Sequence, residues 1–295
     1  MKKAQLNTLA TKAAVAVATV LVLGKFVAWW MTNSLSIQAS LVDSLLDVGA
    51  SIINLFAVKH ALKPADEDHR FGHGKAEALA SLGQSAFIAA SALWLVIEGA
   101  RRFYSPETVL ISPFSNVVMI FSMVLTFSLV MFQRYVFKRT HSLAIKADSL
   151  HYKTDFLTSA AVLISLNISF SFGEIQLDSL IGIGIALYIA LTSWGIFKEA
   201  LDILMDRELS DAIIRDIRRI AEAHKHVVGV HDLKTRSAGH KQFIQMHLDM
   251  DARLSLIEAH NIALEVTRDL KASFPDADIL IHQDPYGHDE GDFHT

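Results

Sequence analysis

Six long apolar segments occupy the first two thirds of the chain. They run from about Thr8 to Met31, Leu35 to Leu62, Ala76 to Phe103, Phe114 to Phe137, Ser142 to Phe170 and Leu177 to Met205. Each is longer than the roughly 20 apolar residues with which a helix crosses a bilayer. The mean hydropathy of +0.33 is also too high for a water-soluble protein of this length. The segments therefore predict an α-helical membrane domain with six transmembrane helices over residues 1–206.

The distribution of lysine and arginine between the loops predicts the orientation of these helices. Six spans place both termini on one side of the membrane. Basic residues concentrate in the second and fourth connections and beside them: Lys59, Lys63, Arg70, Lys75, Arg134, Lys138, Arg139 and Lys146. Because cytoplasmic loops carry the excess of positive charge, both termini are expected in the cytoplasm. Arg101 and Arg102, in the third connection, are evidence against this orientation.

The remainder of the chain is polar and has mixed charge. Its pattern predicts a helix over Asp211–His224, strands over Val227–Thr235 and Gln242–Met250, a helix over Leu256–Phe274 and a strand over Asp278–Asp284. The order αββαβ predicts a small α+β domain over residues 207–286, with its helices on one face of an open sheet. A domain of this size would gain stability from pairing with a copy of itself. Residues 287–295 are expected to be a disordered tail.

Four polar side chains inside the predicted spans form two pairs with the same spacing. Asp43 and Asp47 lie four residues apart in the second span, and His151 and Asp155 do so in the fifth. A spacing of four places both members of a pair on one helix face. Ionisable groups in a membrane are costly, at about 2.5–3.5 kcal/mol each on insertion scales, so they indicate function. Facing each other, the pairs offer four oxygen and nitrogen ligands to a tetrahedral ion such as Zn²⁺.

The charge of such a site predicts a mechanism. Three carboxylates at membrane depth require either a divalent cation or protons to balance them. An imidazole such as that of His151 changes its charge near neutral pH, so protons and metal would compete for the site. A site of this kind that opens alternately to each side would exchange metal for protons. The alternative interpretation is that these groups are hydrated at one end of the helices or pair with Lys146 or Lys153.

Three further groups of residues give weaker signals. A loop holds Asp66, His69 and His73, which could bind a second metal or could be a hydrated polar loop. The C-terminal part holds His231, His247, His260, His282 and Asp284, which could bind one metal, a pair bridged by Asp284, or nothing. Lys75 and Asp206 lie at the ends of the third and sixth spans and are candidates for an ion pair.

Composition restricts the other functions that this chain could have. There is no cysteine, so disulfides and thiolate metal sites are excluded, and the net charge is only −4. No basic stripe indicates nucleic-acid binding. A membrane metal sensor or storage protein is one alternative, in which the C-terminal histidines would carry the function. A membrane hydrolase is disfavoured, because four protein ligands close the shell that catalytic zinc keeps open, and no nucleophile motif is present.

Several motifs of this chain resemble those of one transporter family. They are the stretch from Leu41 to Asp47, Phe71-Gly72-His73-Gly74-Lys75, the stretch from Asp148 to Asp155, His231-Asp232-Leu233 and Ile281-His282-Gln283-Asp284-Pro285. With them the chain resembles the cation diffusion facilitator family and, within it, the bacterial efflux pumps for zinc and ferrous iron. The similarity extends over nearly the whole chain.

The resemblance implies a homodimer in a bacterial inner membrane, with a ferredoxin-like cytoplasmic domain on each six-helix protomer. It implies transport ligands at Asp43, Asp47, His151 and Asp155, a loop site at Asp66, His69 and His73, and a binuclear cytoplasmic site at His231, His247, His260, His282 and Asp284. It also implies a salt bridge between Lys75 and Asp206 near the dimer contact. Zn²⁺ is the expected cargo and structural metal, with protons as counter-ion. Asp43 as first ligand suggests that cadmium, ferrous iron or manganese is also accepted.

Overall fold

The computed structural model describes residues 3–32, 35–104, 113–172, 176–239 and 241–287. The chain divides into two compact units, Met1–Leu201 and Asp202–Thr295. Apart from Gly287, the tail that was expected to be disordered lies outside the described residues.

Six long helices make up the first unit, and the last of them continues for three residues beyond Leu201. They are α1 (Lys3–Thr32), α2 (Leu35–Ala61), α3 (Lys75–Tyr104), α4 (Pro113–Thr140), α5 (Leu143–Phe172) and α6 (Gln176–Leu204). Among the described residues, all but α5 have a stretch long and apolar enough to cross a membrane. The part of α5 whose side chains are described, 143–161, contains Lys146, Asp148, Lys153 and Asp155. The predicted six-helix membrane domain is confirmed.

Large apolar side chains cover the outside of these helices. Leu93, Trp94 and Leu191 are each more than 60% exposed. Such a surface would be unfavourable in water but matches the hydrocarbon of a bilayer, where helices satisfy their own backbone hydrogen bonds. The exposed apolar surface therefore supports the assignment of this unit to the membrane.

Small residues allow the helices at the centre of the bundle to approach closely. α1 packs against α2 and α4, and α5 packs against α3 and α4. Ala10, Ala14 and Ala18 recur every four residues along α1 and are almost fully buried. Ala14 packs against Leu129 of α4 and Tyr152 of α5. In a membrane, where no hydrophobic force drives helices together, such close packing is a main source of association.

The second unit has the predicted order αββαβ. It consists of α7 (Asp211–Glu222), β1 (Gly229–Ala238), β2 (Lys241–Met250), α8 (Leu256–Ser273) and β3 (Ala277–Pro285). The central strand β2 pairs antiparallel with β1 and parallel with β3. The core between helices and sheet includes Ile217, Ile244, Leu248, Val266 and Leu270, which are all fully buried. The helices and strands lie within a few residues of the predicted ranges.

Candidate metal centres

Three of the four residues predicted to form an intramembrane site meet between α2 and α5. His151 Nε2 lies 3.0 Å from Asp47 Oδ1 and 3.8 Å from Asp155 Oδ2. One ligand atom from each of the three residues lies within 4.8 Å of the others. The His151 ring is buried, whereas both carboxylates are half-buried. These distances are short enough for one ion to contact all three side chains after small rotamer changes.

Asp43, the fourth predicted ligand, lies outside this group of three. It is exposed and precedes Asp47 by four residues on α2, which is about 6 Å along the helix axis. It shares an electrostatic interaction with Asp47 and another with Asp155. The carboxylate of Asp43 is therefore near the site but is not placed as a ligand in this conformation.

Lys25 of α1 lies next to this site and was not predicted from the sequence. Its ammonium donates to Ser44 Oγ at 2.7 Å and to the carbonyl of Ser40 at 3.2 Å. Both acceptors belong to the stretch of α2 that carries the two aspartates. A single lysine near the end of an apolar run is expected to extend towards the membrane surface, so only the packing of α1 against α2 identifies this contact.

A buried carboxylate one turn before His151 connects three helices. Asp148 of α5 is 1% exposed and accepts hydrogen bonds from Gln84 of α3, at 3.1 Å, and Gln133 of α4, at 2.6 Å. Nearby, the Tyr152 hydroxyl lies 2.6 Å from Ser51 Oγ of α2. These hydrogen bonds hold the helix that carries His151 and Asp155 against its neighbours.

The start of α5 is held by a carboxylate from another helix. Glu77 of α3 is buried, and its Oε1 accepts hydrogen bonds from Ser142 Oγ and from the backbone N–H of Ala144. Ser142 Oγ also accepts from the backbone N–H of Ile145, as an N-cap residue does. An anionic group suits the positive end of a helix dipole. This contact sets the position along the helix axis from which His151 and Asp155 project.

The loop between α2 and α3 brings together the second predicted set. Asp66 Oδ2 lies 3.2 Å from His73 Nε2, and Asp66 Oδ1 lies 3.5 Å from His69 Nδ1. Asp66 Oδ1 also accepts a 2.7 Å hydrogen bond from the His69 backbone N–H, which lowers the pKa of this carboxyl. Gly72 has a φ of +85°, which glycine adopts readily and which keeps the loop out of a regular helix.

His60, in the last turn of α2, is a neighbour of this loop that was not predicted. Its ring centroid lies 4.5 Å from that of His73, with the rings edge to face. A cavity of about 910 Å³ begins at His60 and extends between α2 and α3 to His151. Apart from the few polar groups along it, apolar side chains such as Leu79 and Phe87 line this space. The lining of this cavity thus includes His60, which contacts His73 of the loop, and His151 of the intramembrane cluster.

The three strands of the second unit align three histidines in one row. His231 of β1 pairs in register with His247 of β2, which pairs in turn with His282 of β3. Asp284, two residues after His282, lies on the same face of β3. Its Oδ2 lies 2.8 Å from His247 Nδ1 and 3.4 Å from His231 Nε2. The sheet therefore directs the imidazoles towards one carboxylate.

The chemistry of this row fits a metal centre. Asp284 Oδ1 is buried and lies 3.0 Å from His282 Nε2, but it has no hydrogen-bond partner of suitable geometry among the described residues. Imidazole nitrogens and a carboxylate oxygen suit Zn²⁺ and similar ions. His260, the fifth predicted ligand, is exposed on α8 and is not part of the cluster that His231, His247 and Asp284 form.

Asp249 is a further acidic residue beside this row that was not predicted. Its Oδ2 lies 3.3 Å from His231 Nδ1, the ring nitrogen that does not face Asp284. A carboxylate at that position orients an imidazole for metal binding. The strand pairing is shifted just after His231, where Asp232 has a φ of +45°. Such bulges redirect side chains next to functional sites.

The predicted salt bridge between Lys75 and Asp206 stays a prediction. Within the second unit, Asp206 Oδ1 accepts a hydrogen bond from Arg236 Nη1 at 3.2 Å.

Comparison with known proteins agrees with this arrangement. Residues 11–205 match the model of the cation efflux transmembrane domain, and residues 209–286 match that of the cytoplasmic domain of cation efflux proteins. The cation-efflux pump FieF of Pectobacterium atrosepticum is 46% identical over 282 residues, which cover 96% of this chain and 94% of that protein. The FieF of Klebsiella pneumoniae is 45% identical over 273 residues, covering 92% and 91%.

Solved structures are similar over a shorter part of the chain. The metal-bound C-terminal domain of the CzcD transporter from Thermotoga maritima is 26% identical and covers 28% of this chain and 100% of that domain, with a TM-score of 0.26. The family assignment rests on the domain models and on the full-length relatives. Both domain models and the named efflux pumps confirm the resemblance seen in the sequence: the chain belongs to the cation efflux, or cation diffusion facilitator, family and is a multi-pass membrane transporter of metal cations.

Proposed function

We propose that this transporter exports a divalent cation, principally Zn²⁺, from the bacterial cytoplasm in exchange for protons. The observation that carries the proposal is the cluster of Asp47, His151 and Asp155 inside a membrane domain, with ligand atoms within 4.8 Å of one another. In this proposal Asp43 becomes the fourth ligand when α2 moves by a fraction of a turn. An all-oxygen and nitrogen set in a chain without cysteine also accepts Cd²⁺, Fe²⁺ or Mn²⁺.

Proton exchange follows from the charge of the site. Three carboxylates at membrane depth are stable only when a metal ion or protons neutralise them. Metal therefore displaces protons, and protons displace metal. If the site opens alternately to each side, an inward proton gradient drives metal outward. The cavity that joins His60 to His151 would give cytoplasmic metal its access to the site, with both termini in the cytoplasm.

The two other clusters have supporting roles in the proposal. Asp66, His69 and His73 bind metal in the loop. His231, His247, His282 and Asp284 hold one ion or a bridged pair in the cytoplasmic domain, with His260 joining the set on a conformational change. There the metal stabilises a homodimer that also includes the Lys75–Asp206 salt bridge. The inner membrane is the expected location, as the similarity to bacterial efflux pumps suggests.

Zinc flux into proteoliposomes tests the proposal. The wild type and Asp155→Asn are compared with and without an opposing pH gradient, and Glu199→Gln serves as a matched control because Glu199 faces Lys146 rather than the metal cluster. Flux that follows the gradient in the wild type and the control, and that disappears in Asp155→Asn, supports antiport through this site. Equal flux without gradient dependence in all three proteins contradicts it.

A further inference from the structure

Lys25 is a cation that the membrane domain keeps beside its carboxylates. The side chain is half-buried, and its ammonium is fixed on α2 by the Ser44 hydroxyl at 2.7 Å and the Ser40 carbonyl at 3.2 Å. A lysine in a membrane helix is costly and commonly extends its ammonium to the water interface. Here the ammonium bonds to the neighbouring helix instead, which indicates that its charge has a role beside that helix.

The hydrogen bonds of Lys25 place its charge at the proposed transport site. Ser44 lies between Asp43 and Asp47 in the sequence, and the ammonium interacts electrostatically with both aspartates and with Asp155.

Two lysines of α5 in this region bind to groups other than the three aspartates. Lys153 of α5 donates to the Tyr188 hydroxyl at 2.6 Å, and Lys146 pairs with Glu199. Lys25 is thus distinguished from them by its position among the aspartates.

The net charge of the site indicates a role for Lys25. Three ionised carboxylates carry a charge of −3, and the ammonium reduces the net charge to −2, which one divalent cation balances when His151 is neutral. We propose that Lys25 is the fixed counter-charge of the transport site. It repels the bound cation enough for the ion to leave, so it sets the affinity at which metal is held. This inference rests on the transport site proposed above.

The alternative role for Lys25 is purely structural, as a tether between α1 and α2. Three substitutions separate charge from tethering. Lys25→Met removes both the charge and the hydrogen bonds with an unbranched side chain that is one atom shorter. Lys25→Arg keeps the charge. Ser44 is almost fully buried. Ser44→Ala removes the shorter hydrogen bond and leaves the Lys25 ammonium in place.

Cadmium binding to the full chain in detergent, followed by calorimetry at pH 8, measures the effect. At this pH protons compete least with the metal. The binding component that Asp155→Ala removes belongs to the transport site. For this component Lys25→Met is expected to lower Kd at least roughly tenfold, because a unit positive charge beside the site no longer opposes a divalent ion. Lys25→Arg and Ser44→Ala are expected to keep Kd within about twofold of the wild type.

Transport kinetics give a second readout that a structural tether would not produce. In proteoliposomes, Lys25→Met should lower both the half-saturating metal concentration and the maximal flux, because tighter binding slows release. A damaged tether would lower the flux without lowering the half-saturating concentration. If size-exclusion chromatography shows that Lys25→Met does not fold, Lys25→Gln replaces it.

The outcomes distinguish this inference from the proposed function. An unchanged or higher Kd in the neutral variants, with the Asp155-dependent component intact, overturns the role of Lys25 alone. Binding that is the same in Asp155→Ala and in the wild type overturns the transport site, and the counter-charge with it.

Discussion

Gly229 and Asp249 face each other across the β1–β2 pair, and a Cβ atom on residue 229 would lie 2.8 Å from Asp249 Oδ2. That carboxylate oxygen is the one that contacts His231 Nδ1. Gly229→Ala is therefore expected to displace Asp249 and to weaken Zn²⁺ binding in the cytoplasmic domain by roughly 10-fold, since partners of liganding imidazoles typically contribute this much. Calorimetry on the full chain measures the change.

The stability of the domain separates this effect from general damage. Because the end of the Asp249 side chain can move, Gly229→Ala should change the free energy of unfolding by less than about 1 kcal/mol. Asp249→Ala alone should weaken Zn²⁺ binding to a similar extent, and adding Gly229→Ala to it should have little further effect. Additive losses in the double variant would show that the two residues act independently.

Zn²⁺ should raise the thermal stability of the cytoplasmic domain through the histidine row. A ligand at one hundred times its Kd stabilises the folded state by about 2.7 kcal/mol. Asp284→Asn and His247→Ala are expected to lose most of this stabilisation. Asp284 is the carboxylate that the histidines face, and His247 is the central histidine of the row, so each substitution removes a proposed ligand. Thermal unfolding of the full chain with Zn²⁺ or with a chelator measures it.

His226→Ala is the matched control for this experiment. His226 is exposed and lies outside the row. This variant should keep the full response to Zn²⁺, and an equal loss in His226→Ala would mean that the metal acts through surface histidines in general.

Asp148→Ala should destabilise the membrane domain. The substitution leaves the amides of Gln84 and Gln133 without their acceptor in a buried position. A buried donor without a partner costs about 1–3 kcal/mol. The thermal midpoint in detergent should fall, and adding Gln84→Ala to Asp148→Ala should cost less than the sum of the two single changes. A midpoint equal to that of the wild type would show that the network contributes nothing to stability.

The ion pair between Asp251 and Arg253 predicts a specific dependence on pH. Hydrogen bonds from Arg253 lower the pKa of Asp251 to about 2. Because the folded-state pKa is depressed, the pair contributes stability that is present above the unfolded-state pKa of about 4. This contribution is lost as the pH falls from about 4 to about 2. Both residues are at the surface, so the effect is small.

Nuclear magnetic resonance can follow the Asp251 carboxyl directly. Its titration midpoint should rise towards the ordinary value in Arg253→Gln, whereas Arg268→Gln, which leaves the pair intact, should not change it. An unchanged midpoint in Arg253→Gln would show that another group lowers the pKa.

Sequence periodicity was sufficient to predict the helices and strands and much of the intramembrane cluster. The spacing of four residues placed His151 and Asp155 on one face of α5, and the structure brings them to Asp47. The same spacing cannot fix how far one helix is displaced along another. For that reason it did not show that Asp43 lies a turn away from the other three predicted ligands.

Contacts between distant segments could not be predicted from the sequence. In the sequence, Lys25 is a single lysine in an apolar run. Its proximity to Ser44 depends on how α1 packs against α2. In the cytoplasmic domain, alternation predicted the strands but not their register. The alignment of His231 with His247, and the contact of His231 with Asp249, follow from that register.

The metal binding proposed for the histidine row would also be a test of strand pairing. Side chains alternate between the two faces of a strand, so a slip of one residue in β1 would turn His231 away from Asp284, and a slip of one residue in β3 would turn His282 and Asp284 together away from His247. Either slip would remove ligands from the proposed site, and it would also turn the apolar side chains of that strand away from the core. Metal occupancy of the proposed cytoplasmic site would therefore report the correct assembly of all three strands, and zinc content could be used to separate correctly paired molecules from slipped ones.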